Sequence, residues 1–142
     1  MSVENFFDTN ILVYQLDKSD IRKHEIAERL VSNALSRGNA CISFQVVQEC
    51  LNTALRKARV RLQTADAHAW LENVLDPLCL VQPSTDFYRR GLDLQERWKF
   101  GFYDSLIVAA ALQAGCKRLL SEDMQHGQRI DGLRIENPFK GV

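Results

Sequence analysis

Residues 106–112 form an unbroken run of seven apolar side chains, and the helix read over residues 104–114, ended by Gly115, is apolar nearly all round. A helix without a polar stripe belongs in an interior. The run is far too short to cross a bilayer, so that interior is a globular core. The rest of the chain supplies the cover. Periodicity predicts strands over 3–7, 40–42, 78–81, 117–120 and 133–136. It predicts helices between them. One spans 20–37, with Ile26, Ala27, Leu30, Val31, Ala34 and Leu35 as its apolar stripe and Gly38 as its C-terminal cap. A second runs from a Ser43 cap to about residue 57, and a third carries Trp70, Leu71, Val74 and Leu75. A fourth begins at Ser84 or Thr85, with Phe87, Tyr88, Leu92 and Leu94 turned partly inward. Strands alternating with helices imply the α/β class: a central, mainly parallel sheet flanked by helices on both faces, an α/β/α sandwich. No linker or repeat divides the 142 residues, which are read as a single domain over 1–142.

Four acidic positions stand where these elements begin or end: Asp8, Glu49, Asp104 and Asp123. Ligands of parallel sheets bind at the carboxyl ends of the strands. Asp8 follows the first strand directly, and Glu122 and Asp123 follow the strand that ends at Leu120. Asp104 opens the buried helix, where the helix dipole favours a carboxylate. Glu49 falls outside the apolar arc of its own helix, which is formed by Val46, Val47, Cys50, Leu51, Ala54 and Leu55, so it is free to face a cleft. Taken singly, Asp8 and Asp104 are most often helix caps, Glu49 an exposed helix residue, and Glu122 and Asp123 turn formers. Gathered together, like charges raise one another's pKa and call for a divalent cation. That combination points to metal-assisted phosphate chemistry. Adjacent residues in extended chain point opposite ways, so only one of Glu122 and Asp123 is expected at the centre.

Other chemistries find less support. Cys41, Cys50, Cys79 and Cys116 are widely spaced, with no CxxC pair, and are expected as free thiols in a reducing compartment. His24, His68 and His126 have no metal-ligand spacing. The first two read as surface helix residues, and His126 as a turn residue or a substrate contact. There is no Gly-rich phosphate loop, no G-x-S-x-G and no Cys/His nucleophile pair. Zero net charge argues against coating nucleic acid by bulk electrostatics, while leaving room for local basic faces. The cluster from Arg56 to Arg61, with Arg56, Lys57 and Arg59, is the least bland of these, because it continues the helix of Glu49. The N-terminus lacks the pattern of a secretory signal, so a cytoplasmic location with no membrane partner is expected.

Phe7-Asp8-Thr9-Asn10-Ile11-Leu12-Val13-Tyr14 resembles the opening motif of PIN-domain nucleases. Gln45-Val46-Val47-Gln48-Glu49 resembles their second motif, and the stretch from Tyr103 through Asp104 and Ser105 to Ala111 their third. The segment from Leu120 to Gly127, followed by Asn137-Pro138-Phe139, resembles the close of VapC-type toxins. The resemblance covers the whole chain, with the motifs in order. It implies a single PIN domain in which Asp8, Glu49, Asp104 and Asp123 hold one or two Mg²⁺ or Mn²⁺ ions. In it, Asp123 rather than Glu122 is the fourth acid, and Thr9, Asn10 and Ser121 support the acids. It further implies endonucleolytic cleavage of RNA by the toxin of a type II pair, with homodimerisation and a cognate VapB-like antitoxin as partner.

Three other readings remain at this level. A haloacid-dehalogenase-type phosphotransferase needs a second acid where this chain has Asn10. A non-catalytic RNA-binding scaffold has no use for the intact set of acids. An RNA-processing PIN nuclease that is not a toxin shares the same centre.

Overall fold

The computed structural model describes residues 2–56 and 60–142. Its elements in chain order are β1 (Asn5–Phe7), α1 (Thr9–Leu16), α2 (Ile21–Arg37), β2 (Ala40–Ser43) and α3 (Phe44–Arg56). They continue with α4 (Thr64–Trp70), a π-helical turn (Leu71–Leu75), α5 (Asp76–Leu78), β3 (Cys79–Val81), α6 (Thr85–Trp98) and α7 (Phe102–Gln113). The last three are β4 (Arg118–Leu120), β5 (Arg129–Ile130) and β6 (Leu133–Glu136). The strands form one six-stranded sheet in the order β3-β2-β1-β4-β6-β5. Every pairing is parallel except β5 with β6.

Neighbouring residues of a strand face opposite sides of a sheet. In β1 both Phe6 and Phe7 are buried, in β4 both Leu119 and Leu120, and all of β2 is buried. The central strands are therefore covered on both faces, as helices flanking a parallel sheet require. α7 is buried from Ser105 through Ala111, which is where an all-apolar helix has to lie. Local capping follows the side chains. Asp20 accepts from the Lys23 N–H at the start of α2, and Ser84 accepts from the Phe87 N–H at the start of α6. Gly38 ends α2 in the left-handed region at φ 66°, the conformation glycine adopts without a Cβ penalty.

Several expectations change. The helix expected around Trp70 to Leu75 breaks into α4, a π turn and α5, with Pro77 in the last short piece. The helix α1 and the antiparallel strand β5 carry no strong periodic signal, and each is short. Tyr88 and Leu92, expected partly inward, are exposed, and Leu35 and Leu55 lie at the open margins of their stripes. In α6 only Phe87, Gly91 and Leu94 are buried, a narrower inward face than four large apolar residues suggested. Asp104 does not open α7. It lies in the first turn, behind Phe102 and Tyr103, with Gly101 at the cap position. No helix among the described residues is long and apolar enough to cross a membrane.

Candidate active site

The chain leaves β1 towards β2 and β3 on one side, then returns to build β4, β6 and β5 on the other. The order reverses between β1 and β4. Such a switch point opens a crevice beyond the carboxyl ends of the two strands. Asp8 stands at the end of β1, its backbone N–H donating to the Leu120 carbonyl of β4 at 3.0 Å. Ser121 follows β4. The crevice is a cleft of about 310 Å³ lined by Asp8, Thr9, Gln45, Glu49, Asn52, Thr53, Asp104, Ile107 and Asp123. All four acids singled out in the sequence line it. They arrive from β1, α3, α7 and the segment after β4. No lysine, arginine or histidine is among the described lining residues.

Electrostatics tie the acids together. Burial is the largest effect on Asp8 and raises its carboxyl to about 6. Hydrogen bonds from Ser121 and from the Thr9 N–H pull it down, and the charges of Glu49 and Asp123 push it up. Burial also raises Asp104, again with Asp123 and Glu49 adding to the effect. Glu49 and Asp123 thus act on both other acids, which places four like charges in one field.

Supporting polar residues hold three of the acids, and Thr9 holds two of them. Ser121 Oγ donates to Asp8 Oδ2 at 2.7 Å, and the Thr9 N–H donates to Asp8 Oδ1 at 2.8 Å. Thr9 Oγ1 donates to Glu49 Oε1 at 2.6 Å. Asn10 Nδ2 donates to Asp123 Oδ2 at 3.2 Å. Ser121 Oγ also accepts from the Asp123 and Met124 N–H groups, curling the loop inward. Gln45, to which the sequence reading gave no role, donates to Glu49 Oε2 at 3.4 Å and to the Tyr103 carbonyl at 3.3 Å. It links α3 to the start of α7. Its signal in the sequence was its position one helical turn before Glu49. Asn52 and Thr53 of the cleft wall gave no such signal.

Glu122 points away from the cleft, to Tyr14 and Lys23. His126 accepts the Asn137 N–H at its Nδ1 and fastens a turn rather than touching the cleft. His68 is exposed, and His24 bonds the Tyr14 carbonyl through Nδ1. The four cysteines are free, and Cys41, Cys50 and Cys116 are buried. Burial and the charges of Glu49 and Asp8 push the Cys50 thiol up, away from nucleophilic use. Arg56 is exposed at the end of α3. Lys57 and Arg59 lie outside the described residues.

Carboxylates with hydroxyl and amide supports form a donor set of hard oxygens, suited to Mg²⁺ or Mn²⁺. Asp8 is buried, Glu49 half-buried, and Asp104 and Asp123 exposed; with no Lys, Arg or His among the described lining residues, the four carry negative charge that such an ion neutralises. Among the described residues, no three His, Cys, Asp or Glu side chains close into a ready ligand cage. The acids ring the cleft instead, with Asp8, Glu49 and Asp123 hydrogen-bonded to supporting residues. A larger groove of about 420 Å³, between α6, α7 and the turn at Asp131, is bridged by the Arg97–Asp131 ion pair and gathers no comparable set of acids.

The sequence model of the PIN domain matches residues 6–131, nearly the whole chain. The chain belongs to the PIN domain family. No curated protein matches it. Solved structures with the same fold include a toxin–antitoxin complex from Klebsiella pneumoniae, 20% identical, covering 96% of this chain and 98% of that one, with a TM-score of 0.63. DNA-bound VapBC from Salmonella typhimurium is 20% identical over 96% and 98% of the two chains, with a TM-score of 0.65. The sarcin–ricin-loop-cleaving toxin VapC20 of Mycobacterium tuberculosis is 20% identical over 82% and 87%, with a TM-score of 0.60. At these identities the likeness is one of fold, and it extends the PIN assignment over the full sheet.

Proposed function

We propose that this PIN-domain protein is a divalent-metal-dependent endoribonuclease and the toxin of a VapBC-like type II toxin–antitoxin pair. The observation that carries the reading is the convergence of Asp8, Glu49, Asp104 and Asp123 on one cleft at the sheet's switch point, with no base among the described lining residues. The toxin–antitoxin titles of the similar structures support the biological setting, and the RNA-cleaving title supports the substrate class. A VapB-like antitoxin and a second copy of the chain are the proposed partners.

Asp8, Glu49, Asp104 and Asp123 would supply the oxygen ligands for one or two Mg²⁺ or Mn²⁺ ions. When bound, such an ion offsets the acids' charge, makes hydroxide available near neutral pH and stabilises the leaving oxygen. Ser121 and Thr9 hold the Asp8 carboxylate, Thr9 and Gln45 the Glu49 carboxylate, and Asn10 that of Asp123. Their role is to aim oxygens that would otherwise repel one another. No side chain is required as nucleophile, in keeping with the raised and buried Cys50 thiol. Arg56 at the end of α3 would contact phosphates and add affinity rather than sequence choice.

The test is cleavage of single-stranded and hairpin RNA, a sarcin–ricin-loop stem included, with Mg²⁺ or Mn²⁺ and with EDTA. Cleavage is expected only with the metal and is expected to vanish in Asp8→Asn and Asp104→Asn. RNA retention without any cleavage would instead favour a binding scaffold. Growth arrest on expression of the chain alone, relieved by a small protein encoded directly upstream, would distinguish a toxin from an RNA-processing enzyme.

A further inference from the structure

Glu122 and Asp123 are adjacent acids after β4, yet only Asp123 borders the cleft. The chain between β4 and β5 has no regular secondary structure, so no strand ladder decides which carboxylate faces inward. Side chains decide it. The Tyr14 hydroxyl donates to Glu122 Oε1 at 2.7 Å, and Lys23 Nζ donates to Glu122 Oε2 at 2.5 Å. The Lys23 ammonium also lies 5.3 Å from the Tyr14 ring centroid and 6.0 Å from that of Phe139. Those two rings pack edge to face at 4.9 Å. The Lys23 and Glu122 side chains are only 23% and 24% exposed, so their attraction is screened less than that of a surface pair. On the other side of the loop, Asn10 joins the two acids: its Oδ1 accepts the Glu122 N–H at 3.2 Å, and its Nδ2 donates to Asp123 Oδ2.

We propose that Tyr14 and Lys23 form a positioning clamp on Glu122 that turns the 121–124 loop so that Asp123 faces the cleft. The chain bends at residues 122–124, and across that bend the Glu122 side chain runs to Tyr14 and Lys23 while Asp123 borders the cleft, so holding Glu122 outward holds Asp123 inward. The clamp also keeps a fifth carboxylate, neutralised by Lys23, away from the centre. Tyr14, Lys23 and Glu122 do not line the cleft and act only through Asp123. The inference rests on reading the cleft as a divalent-metal site.

The experiment is an electron paramagnetic resonance titration of Mn²⁺ into the wild type, Tyr14→Phe, Lys23→Met, Glu122→Gln and the swap Lys23→Glu/Glu122→Lys. Each variant is checked for fold by circular dichroism and melting temperature, and assayed on RNA. Mn²⁺ affinity is expected to fall roughly tenfold in Lys23→Met and Glu122→Gln, as for other residues that orient metal ligands. kcat falls with it, while KM for RNA stays at the wild-type value. The swap should regain most of the loss, a recovery that a mere packing role would not give. Tyr14→Phe keeps the ring contact with Phe139 and removes only the hydroxyl, so it carries the test if Lys23→Met does not fold. Wild-type Mn²⁺ affinity in every folded variant, or a swap that restores nothing, overturns the clamp alone. A wild-type chain that binds no Mn²⁺ overturns the metal-site reading and the clamp with it.

Discussion

Burial raises the Asp8 carboxyl from its ordinary value to about 6, and the sign of the consequence is fixed by linkage. In the unfolded chain the same group titrates near 3.8. Between about pH 4 and 6 the folded state therefore binds more protons, and the metal-free protein loses stability as pH rises through that window. A gap of this size is worth on the order of 3 kcal/mol at neutral pH. Asp8→Asn removes the cost of burying the charge. In EDTA at pH 7 it is expected to melt at a higher temperature than the wild type while cleaving no RNA. An unchanged or lower melting temperature would mean that the buried charge is not destabilising. Ser121→Ala acts in the opposite sense. It deletes the hydroxyl that lowers the Asp8 pKa, so the acid limb of the pH–kcat/KM profile is expected to move to higher pH. An acid limb that stays in place would show that another group sets it.

Elements matter here because the acids ride on helices that must pack at the right depth. α6 lies against α7 at Gly91, where an added Cβ would meet Leu106 Cδ2 at 2.5 Å. Leu106 is buried and lies two residues beyond Asp104 on the same helix. Gly91→Ala meets only one methyl, which can turn aside, and alanine's better helix propensity offsets part of the strain. Gly91→Val has no such relief and is expected to cost about 2 kcal/mol through overpacking. It should also depress kcat by displacing the Asp104 turn. Urea denaturation of the pair checks this: equal stability of the two variants would mean that the helices have slack at this contact.

At the scale of the whole molecule, a chain of zero net charge gathers four of its 18 acidic residues in one cleft. An ion binding there stabilises the fold by mass action, by about 2.7 kcal/mol at a hundredfold excess over its dissociation constant. Mn²⁺ is therefore expected to raise the melting temperature of the wild type, EDTA to reverse the gain, and Asp8→Asn/Asp104→Asn to abolish it. A melting curve indifferent to Mn²⁺ would count against the cleft as a metal site.

The sequence alone determined the class of fold and the candidate acids, because both depend on local pattern. Alternating apolar runs name strands and helices whatever surrounds them, and Gly38, Ser84 and Asp20 mark helix ends by their own backbone and side-chain preferences. Asp8, Asp104 and Asp123 stood out because each lies beside the end of an apolar element, and Glu49 because it falls outside the apolar arc of its helix. Tertiary structure alone decided what those acids face. Chain reversal between β1 and β4 brings residues 113 apart in sequence, Asp8 and Ser121, into a 2.7 Å hydrogen bond. It also recruits Gln45, and it sends Glu122 to Tyr14 and Lys23 while Asp123 turns inward. The lesser elements were not legible either: α1 and β5 are too short to show a period. Burial is a property of the whole fold, and charges act through space rather than along the chain, so no reading of spacing yields the raised pKa of Asp8.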